Sequence, residues 1–156
     1  MIFKEEKCDL FNLDNKYALA HCISNDCAMG TTKDGRILPC VATEFIKRFP
    51  KMKIIIKIRK DPNGIGTCCL YAECKDDKWI RIFNLITKEK YWLKPTYDTL
   101  KSSLLDLKKQ CEHLDIKFIA IPKIGSGLDR LSWSKVREII KEVFKDTDIE
   151  ILVCYL

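Results

Sequence analysis

The sequence predicts a layered α/β fold around a mixed β-sheet. Three observations carry this. Strand-like apolar runs alternate with amphipathic helical stretches, the order that stacks helices on a largely parallel sheet. The run KFIAIP, Lys117–Pro122, is almost continuously apolar, as a strand covered on both faces requires. Two further strand-like runs, TCCLYAEC and KWIRIFNLIT, are separated only by the polar KDD, which reads as a hairpin and adds an antiparallel pair.

In chain order, Tyr17–Ser24 (YALAHCIS) reads as a buried strand. Val41–Phe49 has helical spacing, with Val41, Phe45 and Phe49 on one face. Asp61–Gly66 (DPNGIG) reads as a turn and not as a domain boundary, so one domain over residues 1–156 is expected. After the hairpin, Pro95–Leu114 is the clearest helix. Proline suits a first turn, and Leu100, Leu104, Leu107, Cys111 and Leu114 form one apolar stripe. Beyond the KFIAIP strand, Ser132–Lys145 reads as an amphipathic helix opened by a serine that can cap it. Ile149–Leu156 (IEILVCYL) closes the chain as a strand.

Bulk properties narrow the function. The chain has 156 residues, 47% hydrophobic and 32% charged, enough for one packed core in a solvated shell. No apolar run is long enough to cross a bilayer, and MIFKEEKCDL lacks the apolar stretch of a secretory signal. A soluble cytoplasmic or nuclear protein without a membrane partner is therefore expected. The nine cysteines are odd in number and contain no CxxC, and the two histidines, His21 and His113, lie far apart. This disfavours both a disulfide framework and a zinc site, leaving free thiols as small hydrophobes and no metal or cofactor. Formal net charge is +6, and Lys47–Lys60 holds seven Lys or Arg and no acid. Such a stretch is either a solvated face or a surface for an anionic partner.

The stretch PKIGSGLDR, Pro122–Arg130, lies where an open α/β sheet binds ligands, beyond the carboxyl end of a strand. Gly125 and Gly127 allow close backbone approach, and successive amides in such a turn form an anion-binding nest, so a phosphate or diphosphate fits. The stretch lacks the GK[ST] of a P-loop and the full GxGxxG pattern. Asp129 would repel a phosphate unless it faced another part of the ligand, such as a ribose; it can also pair with Arg130 or cap the next helix. Lys88 follows the strand Ile80–Leu85 at the same kind of edge. It is a surface charge or, with a pKa lowered by burial or by Lys90 and Lys94, a nucleophile.

Three segments together, CDLFNLDNKYALAHCISNDCAMG, LITKEKYWLKPTYDTLKSSL and PKIGSGLDRLSWSKVREIIKEVFKDTDIEILVCYL, closely resemble the macro-domain family. They look most like its terminal ADP-ribose protein glycohydrolase branch, related to DarG-like antitoxin macro domains. The resemblance implies a three-layer α/β/α sandwich with a central mixed sheet. It implies binding of ADP-ribose and its removal from acidic protein side chains or, in DarG-like members, from DNA bases. Carried over residue by residue, it implies Asp9, Leu10 and Leu156 near the adenine and Ser24 near the ribose and diphosphate. Pro122, Lys123, Ile124, Gly125, Ser126, Gly127 and Leu128 would form the phosphate loop. Lys88 would be the catalytic nucleophile, and Asp129 the catalytic acid that moves protons. Gly30 matches the start of a glycine-rich loop. There this chain departs from the family, because TTKDGRILPCVATEF replaces a short AGIA-like segment, with Gly35 as a substitute glycine.

Three functions follow as expectations: a glycohydrolase acting on ADP-ribosylated protein or DNA as a monomer, a non-catalytic ADP-ribose reader, and a nucleic-acid-binding module using Lys47–Lys60.

Overall fold

The computed structural model describes residues 1–60 and 64–156. Among them the strands are β1 (Ile2–Lys7), β2 (Ala18–Ser24), β3 (Thr67–Lys75), β4 (Lys78–Lys88), β5 (Phe118–Ile121) and β6 (Glu150–Tyr155). The helices are α1 (Val41–Arg48), α2 (Met52–Arg59), α3 (Tyr97–Leu114) and α4 (Trp133–Phe144). The predicted DPNGIG turn falls partly on residues 61–63, outside the described residues.

The sheet order is β1-β6-β5-β2-β4-β3. Five strands run parallel and β3 returns antiparallel to β4, so the predicted mixed sheet is present. Strand alternation divides the buried residues between two faces. Ala18, Ala20, Phe83, Leu85, Ile119, Ile121, Ile151 and Val153 pack under α3 and α4. Leu19, Ile23, Ile82, Ile86, Ala120 and Leu152 pack under α1 and α2 with Phe45, Phe49, Met52 and Ile56. Helices on both faces make the three layers.

Local chemistry explains the boundaries. The β3–β4 hairpin turns on Asp76 and Asp77, both left-handed at φ 53° and 62°, as a two-residue loop that matches strand twist requires. The outer edge of β3 is covered by α3: the Asp106 carboxylate accepts from the Cys68 amide at 2.7 Å and the Gln110 amide donates to the Cys68 carbonyl at 2.6 Å.

The sequence reading needs four corrections. Helix α3 is opened by a reciprocal Thr96–Thr99 capping box, which leaves Pro95 ahead of the cap and outside the first turn. Leu114 leaves the predicted stripe, because it occupies the last turn and is 47% exposed. Ser132 holds the N-cap position of α4, but its hydroxyl turns to Ser134 at 3.0 Å and makes no cap bond. Lys47–Lys60 contains a helix that the sequence reading did not predict, α2, which buries Met52 and Ile56.

Candidate active site

The five parallel strands end on one edge of the sheet, and most predicted site residues stand there. Ser24 ends β2, Lys88 ends β4, and Pro122 follows β5 directly. The β2–β4 register shifts from Ile23↔Ile86 to Ser24↔Lys88, leaving Thr87 as an extra residue immediately before Lys88. A bulge of this kind re-aims the side chain beside it. The backbone is then fixed from both sides. The Asn25 amide donates to the Lys88 carbonyl at 2.8 Å, and the Thr99 hydroxyl donates to the Thr87 carbonyl at 2.7 Å.

The decisive contact is between Lys88 and Asp129. Lys88 Nζ lies 2.6 Å from Asp129 Oδ1, with side chains only 13% and 16% exposed. Asp129 therefore pairs with neither Arg130 nor the end of α4. It reaches Lys88 because the chain after Gly127 makes a tight reversal, with Arg130 N–H on the Gly127 carbonyl at 3.1 Å and Leu131 N–H on the Gly125 carbonyl at 2.7 Å. Gly125 is left-handed at φ 73°, and a Cβ there would come within 3.0 Å of the Leu131 side chain. Among the described residues the Gly127 and Leu128 amides have no partner, so the loop presents donors to an anion.

The pair sits in a cleft of about 250 Å³ that also brings together Ser24, Gly30, Pro122, Lys123, Ile124, Gly125, Gly127 and Leu128. Of the two lysines proposed as neighbours of Lys88, Lys94 lines this cleft and its ammonium donates to the Leu128 carbonyl; Lys90 does not line it.

Two polar groups shape the cleft without belonging to the predicted set. Burial opposes the charge of Asp26, but the Ser24 hydroxyl and the Tyr91 and Ala28 amides outweigh it and hold the carboxyl below its usual range. Asp26 thereby ties the end of β2 to the segment after Lys88. His21, on the cleft floor, stacks on Phe45 at 4.0 Å between ring centroids. The Asn84 amide nitrogen donates to the Cys69 carbonyl, so its oxygen faces His21 Nε2 at 2.6 Å and the imidazole is a neutral donor there. Burial pushes the His21 pKa down to about 4.

The family model described as Macro domain matches residues 30–140. The chain belongs to the macro-domain family. The human protein named ADP-ribose glycohydrolase OARD1 is 36% identical over 147 residues, covering 94% of this chain and 87% of that protein. Among solved structures, the macrodomain of Mycobacterium tuberculosis DarG superposes with a TM-score of 0.83 at 21% identity, covering 99% of this chain and 98% of that one. Thermosipho africanus DarTG, solved in complex with ADP-ribose, superposes with a TM-score of 0.79 at 17% identity, covering 98% of this chain and 41% of that one. These likenesses agree with the three-layer macro-domain fold.

Four predicted site residues of this macro domain lie outside the cleft. The Ser126 hydroxyl is used within its own turn, donating to the Lys123 carbonyl at 2.6 Å. The Asp9 carboxylate accepts from the Phe11 amide at 3.0 Å and so opens a short 3₁₀ turn. Leu10 lines a separate depression of about 390 Å³ with Phe11, Arg48 and Trp79. Leu156 is 93% exposed. Asp9 and Leu156 nonetheless adjoin, since the Cys8 amide donates to the Tyr155 carbonyl at 3.0 Å across the ends of β1 and β6. They extend the same edge: four strand spacings separate β1 from β4, about 19 Å. Sequence reasoning missed Leu38, Pro39, Cys40, Tyr91 and, as a cleft residue, His21. Gly35 does not substitute for the missing loop glycine, because it sits at the tip of a turn, donating to the Thr32 carbonyl at 3.0 Å.

Proposed function

We propose that the protein is an ADP-ribosyl glycohydrolase that binds ADP-ribose and releases it from modified acidic side chains, or from DNA, through Lys88 and Asp129. The observation that carries this is the 2.6 Å Lys88–Asp129 pair beside a loop of free amides. The name of the human relative, ADP-ribose glycohydrolase, supports the reaction class. The Thermosipho relative, solved with ADP-ribose bound, supports the ligand.

The diphosphate would lie on the Gly127 and Leu128 amides, anchoring the distal ribose over the pair. The adenine would extend along the sheet edge toward Asp9 and Leu156. In its resting pair Lys88 is an ammonium and cannot attack. Proton transfer to Asp129 across the short contact frees the amine lone pair as substrate excludes water. The nitrogen bonds to the anomeric carbon while the bond to the modified group breaks, its electron pair leaving with the carboxylate or, from DNA, with the base. Asp129 passes that proton to the departing group. As aspartate it then takes a proton from the water that attacks the anomeric carbon, the C–N bond breaks with its electron pair returning to Lys88, and the amine regains the proton as ADP-ribose is released.

The test compares wild type with Lys88→Ala on ADP-ribosylated protein and on ADP-ribosylated DNA, with release of free ADP-ribose as the readout. Loss of release in the variant is expected, and equal release by both proteins rejects the lysine mechanism. Tight ADP-ribose binding by calorimetry without turnover on any linkage leaves an ADP-ribose reader instead.

A further inference from the structure

The segment that departs from the family pattern is a built hairpin. Residues Thr31 and Ile37 form an antiparallel bridge, and the Leu38 amide donates to the Gly30 carbonyl at 2.6 Å. At the base, the Thr43 hydroxyl donates to the Leu38 carbonyl at 2.7 Å. At the tip, the Lys33 amide donates to the Tyr91 hydroxyl at 3.4 Å, and the Lys33 ammonium lies 5.1 Å from the Trp92 ring centroid. Tyr91 is itself fixed, since its amide donates to Asp26 at 3.1 Å. The hairpin thus joins the start of α1 to the segment just beyond Lys88, and Leu38, Pro39 and Cys40 form a wall of the cleft.

We infer that this hairpin selects the leaving group, admitting a carboxylate on a narrow stem and excluding a planar nucleobase. The inference rests on the glycohydrolase reading. A nucleophile and its leaving group occupy opposite faces of the reacting ring. With the diphosphate on the Gly127 and Leu128 amides and the nucleophile at Lys88, the departing group would meet the remaining lining of the cleft, which includes Leu38, Pro39, Cys40, Tyr91 and Lys94. The Lys33 contacts hold the hairpin against Tyr91 and Trp92. Leu38 and Pro39 offer no side-chain hydrogen bond to the polar edge of a base, so on the hairpin side a base loses hydration without compensation. A carboxylate needs only two acceptor sites met, and the Lys94 ammonium is in the same cleft to meet them.

Two variants test this: residues 32–36 replaced by one glycine, and Trp92→Ala, which keeps the hairpin and its Tyr91 bond and removes the Lys33–Trp92 contact at the tip. Each is assayed for kcat/KM on a glutamate-linked ADP-ribosyl peptide and on an ADP-ribosylated single-stranded oligonucleotide. In a Lys88→Ala background, Kd is measured for both substrates and for free ADP-ribose. Shortening the hairpin is expected to raise oligonucleotide kcat/KM and to tighten its binding by about tenfold, the scale of one uncompensated polar group. Peptide and free ADP-ribose should change by less than about threefold, which also shows that the variant is folded. Trp92→Ala should move the oligonucleotide in the same direction. Equal changes for peptide and oligonucleotide, or a wild type that handles both equally, overturn the inference. If neither substrate is turned over while ADP-ribose binds, the glycohydrolase reading fails and the binding ratios still decide on the hairpin. Absence of ADP-ribose binding overturns both.

Discussion

Replacing Gly30 by alanine is expected to destabilise the protein by an amount that the hairpin base sets. Gly30 has φ 89°, and a Cβ there would lie 2.1 Å from Thr43 Oγ1, 3.2 Å from Thr43 Cβ and 3.3 Å from Cys40 Sγ. The left-handed backbone costs a non-glycine residue about 1–2 kcal/mol. Thr43 is buried, so it has to swing away, and its bond to the Leu38 carbonyl is lost, at about 1–2 kcal/mol. The sum is about 2–4 kcal/mol, which for a chain of this size lowers Tm by about 5–15 °C. The diagnostic is the double variant. Thr43→Ala removes both the bond and the obstruction, so Gly30→Ala/Thr43→Ala should cost about 1 kcal/mol less than the sum of the single changes. Urea unfolding followed by fluorescence and by far-UV circular dichroism measures all three. Additivity within about 0.5 kcal/mol, or a Gly30→Ala cost below about 1 kcal/mol, would refute the close contact at the hairpin base.

Two further outcomes are expected. His21 has a pKa near 4 in the fold against 6.5 when unperturbed, so the unfolded chain binds a proton first as pH falls; its contribution is whole above pH 6.5 and about 3 kcal/mol of stability is lost between 6.5 and 4. The urea midpoint should fall over that range more steeply for wild type than for His21→Gln, and equal slopes would count against a neutral buried ring. Asp106→Ala should cost about 1–3 kcal/mol by leaving the Cys68 amide unpaired at the sheet edge, with faster hydrogen exchange at that amide; unchanged exchange would show that Asp106 does not guard the edge.

What was legible in the sequence was whatever the core dictates. β2, β5 and β6 are buried almost throughout, and their continuous apolar runs stood out. β1 was missed because it is an edge strand with five of six residues exposed, so IFKEEK carries little apolar pattern. α2 was missed because Ile54 and Ile58 are exposed, at 65% and 77%, while only Met52 and Ile56 are buried. The KIIIKI run therefore has no single apolar face to read. At the site, the backbone-encoded features were legible: Lys88, Asp129 and the glycines around Ser126 stand next to strand ends that the pattern locates. The hairpin wall was not, because Leu38, Pro39 and Cys40 are placed by the bonds of Leu38 to Gly30 and Thr43 and by the Lys33 contacts to Tyr91 and Trp92, the last two more than fifty residues along the chain.

The basic stretch shows why charge alone misleads. Two of its cations point inward: Lys53 donates to the Ala28 carbonyl at 3.1 Å and Lys60 to the Asn25 side-chain oxygen at 3.0 Å. Asn25 in turn holds the Lys88 carbonyl, so these lysines brace the loop beside the proposed nucleophile. Two more are engaged locally, Lys47 with Glu44 at 3.6 Å and Arg48 over the Phe11 ring at 4.4 Å. Lys51, Lys57 and Arg59 remain exposed. Three cations on one short helix are a small footprint for a nucleic acid, whose non-specific affinity grows with each phosphate neutralised. Two of the seven cations of Lys47–Lys60 thus serve to place the Ser24–Ala28 loop and two are engaged locally, and the case for an anionic ligand passes to the free amides of Gly127 and Leu128.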